Sequence, residues 1–110
     1  MEAQENKYRK ELAMFEALTV DMRDIFAAKR KDYGPSTEHL YEKFGPLAMY
    51  IKLHDKMSRL ENLLGKNIEP SVIDESVIDT LLDLANYALI TIIEMHKQKE
   101  KYDNGEEIHS

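Results

Sequence analysis

The chain contains no cysteine, which removes a disulfide framework, a thiolate metal site and a thiol nucleophile from the chemistry open to it. That absence suits a reducing compartment, and a cytoplasmic location is expected. Glycine and proline are scarce, four and three in 110 residues, and they sit at specific places, so most of the chain can run as continuous helix. The first ten residues, Met1 to Lys10, are charged and do not read as a signal peptide. A clean bilayer span is also missing. The longest apolar stretch, Val77 to Ile93, is interrupted by Asp79, Asp83 and Asn86, and no membrane partner is expected. A net charge of −6 argues against general affinity for nucleic acid phosphates.

What remains is ample for one small helical domain spanning residues 1–110, with 1–4 and 103–110 expected to fray. Hydrophobic residues make up 43% of the chain, enough for a core, and no strand pattern occurs. From Glu5 to about Lys29, Leu12, Phe15, Leu18, Met22, Ile25 and Phe26 recur at steps of three and four, which predicts an amphipathic helix. It should stop near Lys31–Pro35, where Gly34 can take a left-handed cap. Ser36 is the expected N-cap of a short helix through Phe44, and Gly45-Pro46 opens a second long helix to Leu64. That helix is expected to bury Leu47, Tyr50, Ile51, Met57, Leu60 and Leu64. Ser71 can cap a third long helix running to about Lys101, with Asp74 in the capping-box position. The expected architecture is all-α: three long helices and one short one in a bundle.

The third long helix is apolar almost all round between Val77 and Ile93, as in a helix buried on several sides. Glu75, Asp79 and Asp83 nevertheless follow at i, i+4 and i+8, with Asn86 one turn on, so all four share one stripe. Carboxylates stacked among apolar side chains lose hydration and repel one another, which calls for something positive opposite them. A hard cation, Mg²⁺ or Mn²⁺, would serve. A solvated outer face and ion pairing to the second long helix are the other readings. On that helix Lys52, Lys56 and Arg59 form a basic stripe, with Asp55 four residues before Arg59. The stripe could hold phosphates, and Asp55 could join the metal if the two helices are antiparallel. Spacing alone favours simple intrahelical pairing, worth about 0.3–0.5 kcal/mol per pair. Lys29-Arg30-Lys31-Asp32-Tyr33-Gly34 could clasp a phosphate and stack a base, though a basic helix end matching its own dipole is commoner.

Lys31-Asp32-Tyr33-Gly34, then Asp55-Lys56-Met57-Ser58-Arg59-Leu60, then Asp74 to Asp79 running into Asp83-Leu84-Ala85-Asn86-Tyr87-Ala88 follow one another in the chain. Over about Lys29 to Met95 this order resembles a phage and bacterial group of small helical proteins associated with nucleotide modification. More remotely, the third long helix is similar to the MazG-like all-α nucleotide pyrophosphohydrolases, in which paired acids on two antiparallel helices hold Mg²⁺ against a nucleoside triphosphate. Their second acidic element, E-x-x-D followed by an apolar run and often an Asn, is matched at Asp83 and Asn86. It is not matched at Thr80, where Glu is expected, and the preceding E-x-x-E is absent, with only Asp55 and Glu61 on that helix.

The resemblance implies a Mg²⁺-dependent protein acting on a (deoxy)nucleoside triphosphate, splitting the α–β linkage to release pyrophosphate. Asp55, Glu75, Asp79 and Asp83 would hold metal, with Asp55 and Asp83 as the catalytic pair. Lys31, Lys56 and Arg59 would hold the phosphates, Asp32 would also belong to the substrate site, and Tyr33 and Asn86 would lie near base or sugar. It also places the protein in the cytoplasm, including that of a phage-infected bacterial cell. A chain with the pocket but too few ligands would instead be a non-catalytic module binding a nucleotide or a host protein, and a purely structural oligomer is a third reading. The surplus of apolar positions on the third long helix predicts a homodimer or homotetramer.

Overall fold

The computed structural model describes residues 2–33, 35–65 and 75–105; the side chains of Asp32 and Tyr33 lie outside that description, as do Ser71 and Asp74 with their expected capping box. The described residues form four helices and no strand: α1 Glu2–Tyr33, α2 Ser36–Phe44, α3 Pro46–Leu64 and α4 Glu75–Asp103. The chain divides into two compact units, Met1–Gly34 and Pro35–Ser110.

The first unit is α1 alone. It starts at Glu2 and ends at Tyr33, within the expected stop at Lys31–Pro35. Glu2 and Glu5 in its first turn and Arg30 and Lys31 in its last each sit at the end of the dipole that favours their charge. The Arg30 guanidinium also lies 5.4 Å from the centre of the Phe26 ring one turn back. At 32 residues α1 far exceeds the roughly 12–15 below which an isolated helix is marginal.

In the second unit α2 and α3 are joined by one residue. Gly45 has φ 72°, a left-handed conformation that side-chain-bearing residues rarely adopt. There its N–H donates to the Tyr41 carbonyl at 2.7 Å and its own carbonyl accepts from Ala48 at 3.1 Å, closing one helix and opening the next. Pro46 then occupies the first turn of α3, where its missing N–H is no loss. The expected end of α2 at Phe44 and the expected bounds of α3 match these helices, but Ser36 does not cap α2. It is the first helical residue, Pro35 occupies the cap position without a side-chain bond, and the Pro35 carbonyl accepts from His39 at 3.0 Å.

Lys56 meets Asp83 and Arg59 meets Thr80, so α3 and α4 run antiparallel. Glu38 meets Lys97 and Glu42 meets Lys101, so α2 runs alongside the later half of α4 in the same direction. Among the described residues the buried apolar side chains are Tyr41, Ala48, Met49 and Ile90, accompanied by buried Thr80, Asn86 and Glu94. The expected buried face of α3 is therefore corrected. Leu47, Tyr50, Ile51, Met57 and Leu64 are exposed, and the side turned inward carries buried Ala48 and Met49 with half-buried Lys52, Leu53, Lys56, Leu63 and Leu60, the last as expected. Small Ala48 and adaptable Met49 sit buried there, and the long Lys56 stem carries its charge to Asp83 of α4.

By length and composition alone α4 could cross a membrane, a test that core helices of soluble proteins also pass; 17% of its apolar window is buried.

Candidate functional site: the polar seam of helix α4

The side of α4 facing α2 and α3 repeats every three or four residues through Thr80, Asp83, Tyr87, Ile90, Glu94 and Lys97. All six are buried or half-buried. Polar groups dominate this seam, and each must find a partner or be held at a cost of about 1–3 kcal/mol.

At its α3 end the Lys56 ammonium donates to the Asp83 carboxylate at 3.1 Å, both side chains about a quarter exposed. The same ammonium lies 5.9 Å from the Tyr87 ring centre. One turn away, Arg59 Nε donates to the Thr80 hydroxyl at 3.3 Å, and that hydroxyl donates to the Ser76 carbonyl at 2.7 Å. Buried Thr80 thus faces a cation from α3. Asn86 is buried, and its amide Nδ2 has no hydrogen-bond partner among the described residues. Alongside, α2 and the start of α3 form an open groove of about 350 Å³ lined by Leu40, Phe44, Leu47, Ala48, Ile51 and Lys52.

Among the residues singled out from sequence, the structure brings Lys56, Arg59, Asp83 and Asn86 into or beside this seam. It leaves Asp55, Glu75 and Asp79 exposed. Among the described residues no group of three His, Asp or Glu side chains could hold a metal ion. Asp83 is met by an ammonium instead, so the described acids of one chain do not by themselves fit a Mg²⁺ or Mn²⁺ cage. Lys31 is exposed on α1 and belongs to the first unit. Asp32 and Tyr33 fall outside the described side chains.

The opposite end of the seam contains residues that the sequence reading passed over. Glu94 is fully buried, with Lys97 Nζ 3.4 Å from its carboxylate. Lys97 also lies 3.2 Å from Glu38, while Lys101 lies 2.7 Å from Glu42 and 4.0 Å from Glu38. The hydrogen bond from Lys101 holds the Glu42 carboxyl below its ordinary value. Burial, with the Glu94 charge in second place, pushes the Tyr41 phenol up. The signal was present in the spacing: Glu94, Lys97 and Lys101 continue the rhythm of Thr80 and Asp83.

Comparison with curated proteins and with solved structures returns no match. A family described as nucleotide modification associated domain 1 matches residues 29–95, more than half of the chain. That stretch takes in the end of α1, the whole of α2 and α3, and α4 as far as Met95, and so includes Lys56, Arg59, Asp83 and Asn86 with the helices that position them. The chain belongs to the nucleotide modification associated domain 1 family.

Proposed function

We propose that this domain is a nucleotide-binding helical module whose phosphate site is the cationic side of α3 at Lys52, Lys56 and Arg59. The observation that carries this reading is the gathering of Lys56 and Arg59 against α4, with Lys52 one turn before Lys56, at a seam still open to water: Lys56 is about a quarter exposed and Arg59 exposed. A guanidinium presents a planar fork of donors suited to phosphate oxygens, and the lysines add point charges that can exchange a carboxylate for a phosphate. The buried amide of Asn86 supplies a donor whose pairing with a ligand acceptor would remove a standing penalty. Membership of a family associated with nucleotide modification supports the ligand class.

Mg²⁺-dependent hydrolysis of a (deoxy)nucleoside triphosphate to release pyrophosphate is the second reading. The likeness of Asp83 and Asn86 to the MazG-like element favours it, as does the exposure of Glu75 and Asp79 on the same stripe, where a metal arriving with the nucleotide could reach them.

One panel tests both readings. The protein is incubated with ribo- and deoxyribonucleoside triphosphates, with and without Mg²⁺ or Mn²⁺, and melting temperature and pyrophosphate are measured. Binding to the folded state should raise the melting temperature. Replacing Arg59 by Gln should weaken that binding by about tenfold or more, since hydrogen bonds to charged groups contribute about 1.5–3 kcal/mol. The melting temperature of the ligand-free protein should barely change, because Arg59 is exposed. No shift with any nucleotide at millimolar concentration would sink the binding reading. Pyrophosphate release that disappears in Asp83→Asn would establish hydrolysis.

A further inference from the structure

Helix α4 buries its polar side. Half a turn round from the seam described above, Ile78, Leu81, Ala85, Ala88, Ile92 and Met95 recur at alternating steps of three and four. Ala85 is half-buried and the other five are exposed. No charged residue lies on this line until Lys99. A 3.5-residue period sustained over this length is the pattern by which one helix packs along another, and the line is about 26 Å long at 1.5 Å per residue. A contiguous apolar surface of that extent on a helix marks an interface.

We propose that this seam joins two copies of the chain, α4 against α4 and antiparallel, with Ala85 of each helix facing Ala88 of the other. A two-fold axis between those alanines also sets Leu81 opposite Ile92 and Ile78 opposite Met95, so large residues meet large ones on either side of a small centre. Two alanines at the crossing let the helix axes approach to the short end of the usual 8–10 Å range.

Charge selects both the occupant and its direction. Glu75 stands exposed in the first turn of α4, and Lys99 lies on the seam line near its last turn. Antiparallel packing brings Glu75 of one copy beside Lys99 of the second and opposes the helix dipoles. Parallel packing would set Glu75 against Glu75 and Lys99 against Lys99, which is repulsive. The bond that Lys99 makes within the chain, to Asp103 at 2.9 Å, is well exposed and easily exchanged. This inference is independent of whether the α3 cations bind a nucleotide.

Light scattering on the full chain at micromolar concentration should give twice the 12.8 kDa mass of one chain. Leu81→Arg should return it to 12.8 kDa with its helical circular dichroism unchanged, since Leu81 is exposed within the chain. Because the chain has no cysteine, direction can be read from engineered disulfides. Chains carrying Ala85→Cys, mixed with chains carrying Ala88→Cys and oxidised, should cross-link to each other. Chains carrying Ala85→Cys alone should not, because antiparallel packing offsets the two sulfurs by about 4.5 Å along the axis, out of bonding range. A mass of 12.8 kDa for the unmodified protein, whatever else the face then binds, overturns the proposal. So does a dimer that survives Leu81→Arg, and so does a stronger cross-link in Ala85→Cys alone than in the mixture.

Discussion

On the side of α4 that meets α2 and α3, a hydroxyl, a carboxamide and a carboxylate are buried at Thr80, Asn86 and Glu94, while across the same helix Leu81, Leu89 and Ile92 stand exposed. An amphipathic helix packed only for the stability of its own chain would do the reverse. Desolvating charged groups is costly, and a buried ion pair often stabilises less than apolar residues of the same shape would. The polar seam is better understood as a device for alignment. Lys56 to Asp83, Lys97 to Glu38 and Lys101 to Glu42 each fix where α3 or α2 stands along α4. The apolar side, lacking such directional groups, is left for packing beyond the chain.

The largest effect should come from the few apolar residues that do share the polar side. Met49 is fully buried, and Met49→Ala should lower unfolding free energy by about 2–5 kcal/mol, as large-to-small core changes do. Leu81→Ala removes a side chain of similar size from the other face. In dilute protein it should change stability by less than about 0.5 kcal/mol, with a larger loss at high concentration where the second copy covers it. Denaturant titrations at two protein concentrations separate the two. A Leu81→Ala loss as large as that of Met49→Ala and independent of concentration would abolish the distinction between the faces.

An intermediate effect is expected at Lys97, which lies within 3.4 Å of both Glu94 and Glu38. Lys97→Met weakens the charge compensation of the fully buried Glu94. The loss should be about 2 kcal/mol, below the 3–5 typical when a desolvated pair is broken, because the Lys97 side chain is a third exposed. Adding Glu94→Leu should recover much of that stability. If the double replacement stays as unstable as the single one, the seam stabilises as well as aligns.

How much of this could be read beforehand differs by level. The end of α2 at Phe44 and the span of α3 were legible because Gly45, Pro46 and Gly65 punctuate them and the apolar steps between are regular. Ser36 was misplaced as a cap because Pro35 can hold that position with its backbone carbonyl alone. The buried side of α3 was not legible, since periodicity shows that a helix has an apolar side without saying where its neighbours stand. At the site, Lys56, Arg59, Asp83 and Asn86 stood out as chemistry-bearing residues. That Asp83 would be met by an ammonium depends on the rotation of α3 about its axis, which no spacing within one helix specifies. Glu94 escaped because one acid in a charged helical end looks like solvated surface until α2 covers it.

The smallest effects belong to two titrations where α2 meets α4, and they differ in sign. Glu42 ordinarily titrates at 4.5 and is held lower in the folded chain by the hydrogen bond from Lys101. A lowered folded value means the pair stabilises at neutral pH, and that contribution is lost as pH falls below 4.5 through the lowered value. The bond lies at the surface, so the acid-side loss should be slight, and Lys101→Met should remove this part of it. Tyr41 ordinarily titrates at 10.0 and is pushed up by burial and by the nearby Glu94 charge. The unfolded chain therefore ionises this phenol first, so stability is intact below 10.0 and falls as pH rises through the raised folded value. Urea midpoints measured from mildly acid to strongly alkaline solution should show a plateau falling at both ends. Tyr41→Phe should flatten the alkaline end and leave the acid end alone. An alkaline slope that persists in Tyr41→Phe would place the responsible group elsewhere and remove the phenol from the account of the seam.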